Sequence, residues 1–420
     1  MTTDTASTLR QLLDANGRFA LDARGTTNHC PMALCALARM GAGPARLRAF
    51  FEHWERRYAI VAAPGVLDLA HTGDWRDLRG QGAAFAVCRA LFVSRIGEFG
   101  SRAVLTDVLA QAPFAPASGA FHALIRLAYG LEEEHAGEIA AGLAALVCAP
   151  LPIDVGPAGR AAAASTREGF AALAEGMAGA RYSGGAITAR LRAVVRDARF
   201  AALLLAPPDS DRGAASSAAL LLAPPGSDVG AASSTAFVLA SPGSDVGPDG
   251  GAARLRQPGR DAGTDGGSAG ILSLPSRARD AHATARVAGL LDELARAAIA
   301  AYALTQDFTA LHIVTGLHAA RIVLARLPPA HAERLLPDLW NAVCAAYVLI
   351  GAPALDAAAF ARPEPSRPVG ETWPALLALA VASDDDHVIK MSYTCWREDL
   401  REPNGLYLAC AARLLGMAPS

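Results

Sequence analysis

The chain has 420 residues, of which 52% are hydrophobic and 19% are charged, and its formal net charge is −2. This length suits a few average domains or one large helical domain, and the composition allows a substantial buried core. The nearly balanced charge provides no basic surface for nucleic acid or for an anionic membrane. We therefore expect a small molecule or another protein as the partner.

The sequence carries none of the patterns typical of export or membrane insertion. Its first residues, MTTDTASTLRQLL, include an acid and lack an apolar h-region, and the longest apolar runs are too short to span a bilayer. The 7 cysteines are dispersed without a CxxC pair, a pattern typical of reduced thiols. These features predict a soluble, cytoplasmic protein.

Segments with helical periodicity lie on both sides of a repetitive stretch. PMALCALARMG at 31–41 begins with Pro31, which favours a first helical position, and ends at Gly41. Apolar residues recur at three- and four-residue spacing in 119–147, 285–305 and 309–327. Alternation typical of strands is scarce and no βαβ rhythm occurs. The sequence therefore predicts an all-α fold.

A tandem repeat with a period of 17 residues interrupts this pattern. LLLAPPDSDRGAASSAA at 203–219 recurs at 220–236 and diverges at 237–253. Its content of Gly, Pro, Ser and Asp is too high to bury enough surface to offset the ordering of the chain. We predict a single large helical domain formed by residues 1–205 and 281–420, with a low-complexity, disordered insertion at 206–280.

The 10 histidines divide into two groups by their neighbours in the sequence. One group lies among charged or turn residues, and we expect its members to face solvent: His53, His71, His135, His282 and His331. The other group lies in apolar surroundings: His29, His122, His312, His318 and His387. A buried histidine is usually a hydrogen-bonded core residue, but one shared metal ion would give several of these side chains a partner at once.

Helical spacing restricts which of these side chains can meet. At about 100° per residue, a polar stripe on the predicted helix after 119 consists of His122, Arg126, Tyr129 and Glu133. His312 and His318 are six residues apart and cannot both face one point of a regular helix. Either Gly316 breaks that helix or one of the two histidines lies outside the site. Thr315 could orient either side chain through a hydrogen bond.

The segment SDDDHVIKMSYTCW at 383–396 places a lysine in apolar surroundings. His387 and Lys390 are one turn apart and share a helix face. A neutral, buried lysine amine can add CO₂ and become a carbamate, an anionic oxygen ligand for a metal. The alternative is a charged Lys390 that reaches solvent or pairs with one of the acids at 384–386. These acids would cap the helix, or one of them would accept a ring N–H from a ligating histidine.

Signatures of several enzyme classes are absent from the sequence. No GxGxxG follows a strand, and there is no HExxH, Walker A loop or GxSxG elbow. A Rossmann-type flavin or nicotinamide site is therefore unsupported.

Four segments in this order resemble the questin oxidase-like family: NHCPMALCALARMGA, FHALIRLAYGLE, LHIVTGLHAAR and DDDHVIKMSYTCW. The resemblance spans nearly the whole chain except 206–280. It implies an oxygenase that uses O₂ on an aromatic polyketide such as an anthraquinone, by Baeyer–Villiger-type insertion or by ring cleavage. It also implies NADPH for some members and non-haem iron on an all-helical fold for others.

Because no dinucleotide fold is evident, the oxygen chemistry that the resemblance implies would have to come from a metal. Clustered imidazoles suit iron. Carried over by motif, the metal ligands would be His29, His122, His318 and His387, with His312 as the alternate. Lys390, as a carbamate, would be a further ligand. Arg126 or Tyr129 would orient a carbonyl or hydroxyl group of the substrate. Two other functions stay open: a non-catalytic helical protein with structural histidines, and a metal-dependent hydrolase.

Overall fold

The computed structural model describes residues 1–62, 74–155, 160–208, 274–361 and 373–417, and it confirms the all-α prediction. Within these ranges the α-helices are α1 (Thr3–Asn16), α2 (Cys30–Arg39), α3 (Pro44–Tyr58), α4 (Phe85–Phe99), α5 (Ser101–Gln111), α6 (His122–Glu132), α7 (Ala136–Cys148), α8 (Thr166–Gly176), α9 (Ile187–Arg196), α10 (Ala198–Leu203), α11 (Leu274–Thr305), α12 (Phe308–Leu324), α13 (Pro329–Arg334), α14 (Leu336–Leu349), α15 (Trp373–Ala382), α16 (Asp386–Arg401) and α17 (Leu406–Leu414). Short 3₁₀ helices lie at Trp75–Leu78, Gly82–Ala84 and Ala357–Ala359.

A small hairpin precedes α2. Its strands β1 (Asp22–Ala23) and β2 (Thr26–Thr27) are antiparallel, with Asp22 opposite Thr27 and Ala23 opposite Thr26. Gly25 makes the turn with a φ of 75°, a conformation that favours glycine. The hairpin leads directly into α2 and so fixes the point at which His29 enters the core.

α2 begins and ends where the sequence predicts. Pro31 lies in its first turn, where the N–H that proline lacks would have no helical acceptor. Gly41 follows its end with a φ of 98°. Every residue from Cys30 to Ala38 is buried, so this helix runs through the interior of the molecule.

The stretch 119–147 forms two helices rather than a continuous one. α6 ends at Glu132, and the turn before α7 includes Glu134 with a φ of 51°. Glu133 therefore lies past the end of α6, and the predicted polar stripe is shorter than the sequence suggested. α7 returns so closely along α6 that a Cβ added at Gly142 would lie 2.6 Å from Leu127 Cα.

Four helices enclose the centre of the molecule. α2 packs against α6 and α16, and α12 packs against the same two helices, so the four form a closed arrangement. α12 continues as a regular helix through Gly316, and the break considered there does not occur. A Cβ at Gly316 would lie 2.7 Å from Phe121 Cδ1, so this glycine allows α12 to approach the start of α6.

The predicted insertion at 206–280 lies for the most part outside the described residues. At its start Ala206 forms a β-bridge with Ala162, and α11 already begins at Leu274. Residues 274–280 are therefore part of a helix. The division of the chain into 1–205, 206–280 and 281–420 stays a prediction.

Two features of the core bear on the sequence predictions. All seven cysteines are free and buried. None of the helices in the described ranges combines the length and the apolar character needed to cross a bilayer.

Candidate metal centre

Four histidines from four helices meet at the centre of the molecule. His29 caps α2, His122 begins α6, His312 lies in the second turn of α12, and His387 is the second residue of α16. The centroids of the His29 and His122 rings are 4.2 Å apart and those of His122 and His312 are 4.7 Å apart. One ring nitrogen from each of His29, His122 and His387 lies within 4.8 Å of the other two. We call these four residues the histidine cluster.

Two members of the cluster are oriented by backbone carbonyl groups. His122 Nδ1 lies 2.5 Å from the oxygen of Gly119, and His312 Nδ1 lies 2.7 Å from the oxygen of Phe308. Because a carbonyl oxygen can only accept a hydrogen bond, Nδ1 carries the hydrogen in both rings. The Nε2 atom of each neutral ring therefore keeps a free lone pair.

Asp386 orients the other two members. Its Oδ1 lies 2.8 Å from His29 Nδ1 and 3.0 Å from His387 Nδ1. An ionised carboxylate is an acceptor only, so these two rings also donate through Nδ1. This is the arrangement in which a carboxylate fixes the orientation of a metal-binding histidine. Among the three acids, Asp386 is the one that accepts ring hydrogens from His29 and His387; that these rings bind a metal stays a prediction.

The neighbouring acid has a different role. Asp385 is the N-cap of α16, and its side chain accepts hydrogen bonds from the backbone N–H groups of His387 and Val388. Asp384 is half-exposed and pairs with Arg46. Helix capping and histidine orientation are thus divided between adjacent residues, since capping by Asp385 leaves the Asp386 side chain free to face inward.

A strained turn places His122. Gly119, Ala120 and Phe121 have φ values of 57°, 57° and 70°, a region that non-glycine residues rarely adopt. This turn brings the Gly119 carbonyl back to the imidazole three residues later. Phe121 is fully buried and fits against Gly316 of α12, which holds the strained turn in place.

The environment keeps the imidazoles neutral. Burial, reinforced by the charge of Lys390, lowers the pKa of His29 to about 3. Burial lowers the pKa values of His122 and His312 well below the ordinary 6.5, and burial and Lys390 lower that of His387. All four rings are therefore in the neutral form that binds metal ions at neutral pH.

Lys390 lies at the same place and is almost fully buried. It is the only lysine among the 38 lysine and arginine residues of the chain, and its side chain is 2% exposed. Its Nζ lies 3.4 Å from Asp386 Oδ1. Burial lowers the pKa of Lys390 below the ordinary 10.5, although Asp386 acts in the opposite direction. Burial would raise the pKa of Asp386, but Lys390 and His29 outweigh it and hold that pKa well below 3.8.

The donor set of the cluster fits a metal ion. His122 Nε2 and His312 Nε2 are 3.2 Å apart, and with both hydrogens on Nδ1 two lone pairs face each other. Bonds of about 2.1 Å from one metal to two adjacent imidazoles would place the nitrogens about 3.0–3.4 Å apart. His387 Nε2 is buried and has no hydrogen-bond partner in the described part of the chain. A cation held by His29, His122 and His387 would pair with these lone pairs, with His312 beside His122 as a further donor. Neutral imidazoles suit iron, zinc or copper rather than magnesium or calcium.

Phe308 shields the cluster on one side. Its ring centroid lies 4.7 Å from that of His312 and 4.6 Å from that of His387. The residue is half-exposed, so its outer face meets solvent while its inner face covers the two imidazoles. This contact could not be predicted from the sequence, because an aromatic residue at the start of a helix can pack in many other ways.

His318, also predicted as a ligand, lies in a different network. Its Nδ1 is 2.7 Å from Glu398 Oε1, and Glu398 also accepts from Arg321 at 3.3 Å. His318 and His312 thus face different surroundings on one regular helix. Thr315 donates to the oxygens of Leu311 and His312 rather than to either imidazole.

Of the two residues predicted to orient a substrate, only Arg126 lines a pocket beside the histidine cluster. Arg126 is buried against Glu138, with Nε 2.6 Å from Oε2 and Nη2 3.1 Å from Oε1, and it lines a pocket of about 210 Å³ together with His122. Tyr129 is also buried, but it is not among the residues that line this pocket; its ring lies 5.7 Å from that of Tyr393.

The prediction that five histidines face solvent is partly wrong. His135 and His331 are buried, His53 is half-buried, His282 is exposed, and His71 lies outside the described residues. His135 Nε2 lies 3.0 Å from Asp14 Oδ1, and its Nδ1 accepts from the backbone N–H of Glu138. Charged neighbours in the sequence therefore did not indicate whether these side chains are exposed.

Comparison with known protein families supports the resemblance seen in the sequence. The chain matches the family described as Questin oxidase-like over residues 26–224 and 268–395, and these ranges include the histidine cluster, Arg126 and Lys390. The unmatched residues 225–267 lie within the predicted insertion. Comparison with curated proteins finds no match to the chain.

Proposed function

Because the chain belongs to the questin oxidase-like family, we propose that it is an iron-dependent oxygenase that inserts oxygen into, or cleaves, a ring of an aromatic polyketide. The observation that carries this proposal is the meeting of four neutral imidazoles whose Nδ1–H groups are all fixed: ring nitrogens of His29, His122 and His387 lie within 4.8 Å of one another, and His312 Nε2 lies 3.2 Å from His122 Nε2. Family membership supports an oxidoreductase; the metal and the reaction are our proposals.

In this proposal each residue of the site has a separate task. His29, His122, His312 and His387 hold the iron, which when bound supplies the capacity to bind and activate O₂. Asp386 fixes two of these rings and provides one negative charge beside them. Phe308 limits the access of water on one side of the cluster.

Lys390 is proposed as a fifth ligand in its carbamate form. The ammonium first releases a proton, the neutral amine nitrogen then bonds to the carbon of CO₂, and the nitrogen releases a second proton, so that a cationic side chain becomes an anionic oxygen donor. An arginine could not do this, because a guanidinium does not lose its proton in proteins. The presence of the only lysine of the chain at the cluster, fully buried, supports this role.

Oxygen insertion and ring cleavage differ in the number of external electrons that they need. Insertion of one oxygen atom next to a carbonyl consumes one O₂ and two electrons, with the second oxygen leaving as water, and NADPH is the proposed reductant. Ring cleavage that places both oxygen atoms in the product needs no external electrons. The ratio of NADPH oxidised to O₂ consumed therefore separates insertion, near one, from cleavage, near zero.

We also propose a cytoplasmic location. The seven buried, free thiols are what a reducing compartment allows, and burial raises the pKa values of Cys30 and Cys35 well above 9.0, which suits inert structural thiols rather than reactive ones.

Metal analysis of protein purified without a histidine tag tests the proposal. We expect one equivalent of iron per chain, lost on treatment with a chelator and restored with Fe(II). Two equivalents of zinc would instead support the metal-dependent hydrolase, and protein that binds no added metal while remaining folded would support the structural role of the histidines.

A further inference from the structure

The pocket beside the histidine cluster has a polar wall on the side of α6. His122 is the member of the cluster that lines this pocket, and Arg126 lies one helical turn further along the same face. A ligand that reaches His122 therefore also meets Arg126.

Arg126 has hydrogen-bonding capacity that the surrounding protein does not use. Its Nε and Nη2 are bound to Glu138, but Nη1 is buried and has no partner among the residues that the structure describes. An unpaired N–H of a charged group inside a protein is costly, and such groups nearly always have a partner. Arg126 is only 3% exposed and lines the pocket, so a ligand there is the partner within reach.

A second unpaired group lines the same pocket. Thr27 Oγ1 is buried and also lacks a partner in the described ranges. It belongs to β2, and the exposed Arg192 of α9 also lines the pocket. Asp22 is the one carboxylate among the lining residues and is exposed. Glu138 balances the charge of Arg126 and Asp22 that of Arg192, so any preference of the pocket for an anion comes from the unpaired donors of Arg126 and Thr27 rather than from net charge.

Arg126 is held rigidly in this position. Glu138 accepts from Arg126 and from Asn16 Nδ2 at 3.4 Å, and Asn28 Nδ2 in turn donates to Asn16 Oδ1 at 3.2 Å. Asn28 itself lines the pocket. A guanidinium anchored on two nitrogens presents the third in a fixed direction, which suits recognition of an oxygen atom.

The volume and the remaining lining restrict the ligand further. Met32, Ala123, Ala145 and Leu151 make the rest of the wall largely apolar. A cavity of about 150 Å³ accommodates benzene, so a pocket of about 210 Å³ has room for one or two fused rings.

We infer that this pocket binds an aromatic ring system bearing an ionised oxygen, and that Arg126 Nη1 and Thr27 Oγ1 hold that oxygen while the far edge of the ring faces His122. The inference deepens the proposed function, because it rests on that function for identifying the ligand as the substrate. The oxygen belongs either to a carboxylate or to an ionised hydroxyl group on the ring.

Ligand binding to iron-free protein tests this inference separately from metal chemistry. Two anions serve as probes, 2-naphthoate for the carboxylate and 2-hydroxy-1,4-naphthoquinone for the ionised hydroxyl. Each is compared by titration calorimetry with its neutral counterpart, 2-naphthamide or 2-methoxy-1,4-naphthoquinone. We expect at least one anion to bind about ten- to hundredfold more tightly than its neutral counterpart, the range typical of a hydrogen bond to a charged group.

Variants assign that preference to residues. Arg126→Met combined with Glu138→Gln avoids an unpaired buried carboxylate and should abolish the preference for the anion. Thr27→Val, which keeps the side-chain shape, should weaken the anion several-fold and leave the neutral ligand unchanged. Arg192→Met should weaken the anion less, and Arg196→Met, on the same helix but outside the pocket lining, is the control. If the double variant does not fold, the inference is tested by Thr27→Val alone, through the ratio of its affinities for the anion and the neutral ligand.

The outcomes are distinct. Preference for 2-naphthoate alone identifies a carboxylate ligand, and preference for the hydroxyquinone alone identifies an ionised ring hydroxyl. Equal binding of anions and neutral counterparts by the wild-type protein overturns the inference, and so does a preference that survives both Thr27→Val and the double variant. Because the protein contains no iron in this experiment, equal binding of anion and neutral ligand would overturn the pocket inference without affecting the iron proposal. Conversely, a protein that binds no iron but still prefers the anion would support the anion-binding pocket and contradict the proposed oxygenase.

Discussion

Asp386 Oδ1 and His29 Nδ1 are 2.8 Å apart although 357 residues separate them in the sequence. The same oxygen lies 3.0 Å from His387 Nδ1 and 3.4 Å from Lys390 Nζ. A single carboxylate oxygen thus connects the start of α2 with the start of α16. The predictions below begin with this contact.

Asp386→Asn should weaken iron binding about 10- to 100-fold, the usual effect of removing a carboxylate that orients metal-binding histidines. The amide keeps the shape but loses the charge and one acceptor. Dissociation constants for Fe(II), measured by competition with a chelator, test this. Asp384→Asn is the matched control, because Asp384 pairs with Arg46 outside the cluster and its variant should bind iron normally.

His312→Ala and His318→Ala should affect different properties, iron content in the first variant and stability in the second. Loss of the His312 imidazole should abolish stoichiometric iron while circular dichroism stays helical. His318→Ala should keep the iron but lower the free energy of unfolding by about 1–3 kcal/mol, because buried Glu398 loses its hydrogen bond. Metal analysis and urea denaturation of both variants measure the two effects, and loss of iron from His318→Ala alone would contradict the assignment.

Gly316→Ala should destabilise the fold by about 1–3 kcal/mol, since the new Cβ would lie 2.7 Å from Phe121 in a fully packed region. The displaced Phe121 would also shift His122, so iron affinity should fall. Gly289→Ala in α11 is the control: nothing lies within 4 Å of its added Cβ, and the better helix propensity of alanine should stabilise by about 0.5–1 kcal/mol. Thermal and urea unfolding of Gly316→Ala and Gly289→Ala measure these two changes in stability.

Iron-free protein should lose stability as the pH falls from about 6.5 towards 3. The pKa of His29 is about 3 in the folded protein and near the ordinary 6.5 when unfolded, so between these values only the unfolded chain gains the proton. His122 and His312, whose pKa values are lowered in the same direction, add to the effect. Urea unfolding between pH 4 and 7 should show a pH slope that decreases in His29→Gln; an unchanged slope would mean that His29 does not contribute.

Lys390→Ala should lose most of the bound iron, and added acetate or propionate should restore part of it by replacing the carbamate oxygens. Lys390→Arg retains the charge but cannot react with CO₂, so it should fail without rescue. Because Lys390 is the only lysine, ¹³CO₂ supplied to the wild-type protein should give a single side-chain carbamate resonance that disappears in Lys390→Ala. Full iron occupancy in unsupplemented Lys390→Ala would rule out this role.

Local sequence signals predicted some of these features reliably. Pro31 and Gly41 set the ends of α2, and the six-residue spacing of His312 and His318 correctly implied that a regular helix could bring only one of them to the cluster. The crowded acids before His387 indicated a helix N-terminus, and Asp385 is its cap.

The features that the sequence did not predict depend on contacts between distant residues. His135 appeared solvent-facing because its partner Asp14 lies 121 positions earlier, and His318 appeared to be a ligand because Glu398 lies 80 positions later. The left-handed conformation of Ala120 and Phe121 is held by Gly316 on another helix. Propensity and periodicity describe neighbours along the chain and contain no information on such pairs.

The positions of the four histidines along the chain have a consequence for folding. His29 and His122 precede residue 209, and His312 and His387 follow residue 273, so each half of the chain supplies two imidazoles. Fragments 1–208 and 274–420, produced separately, would each offer only a weak two-nitrogen chelate, whereas their complex would bind the ion with all four. Iron added to a mixture of the fragments would therefore act by mass action to favour their association, as any ligand of the assembled state does.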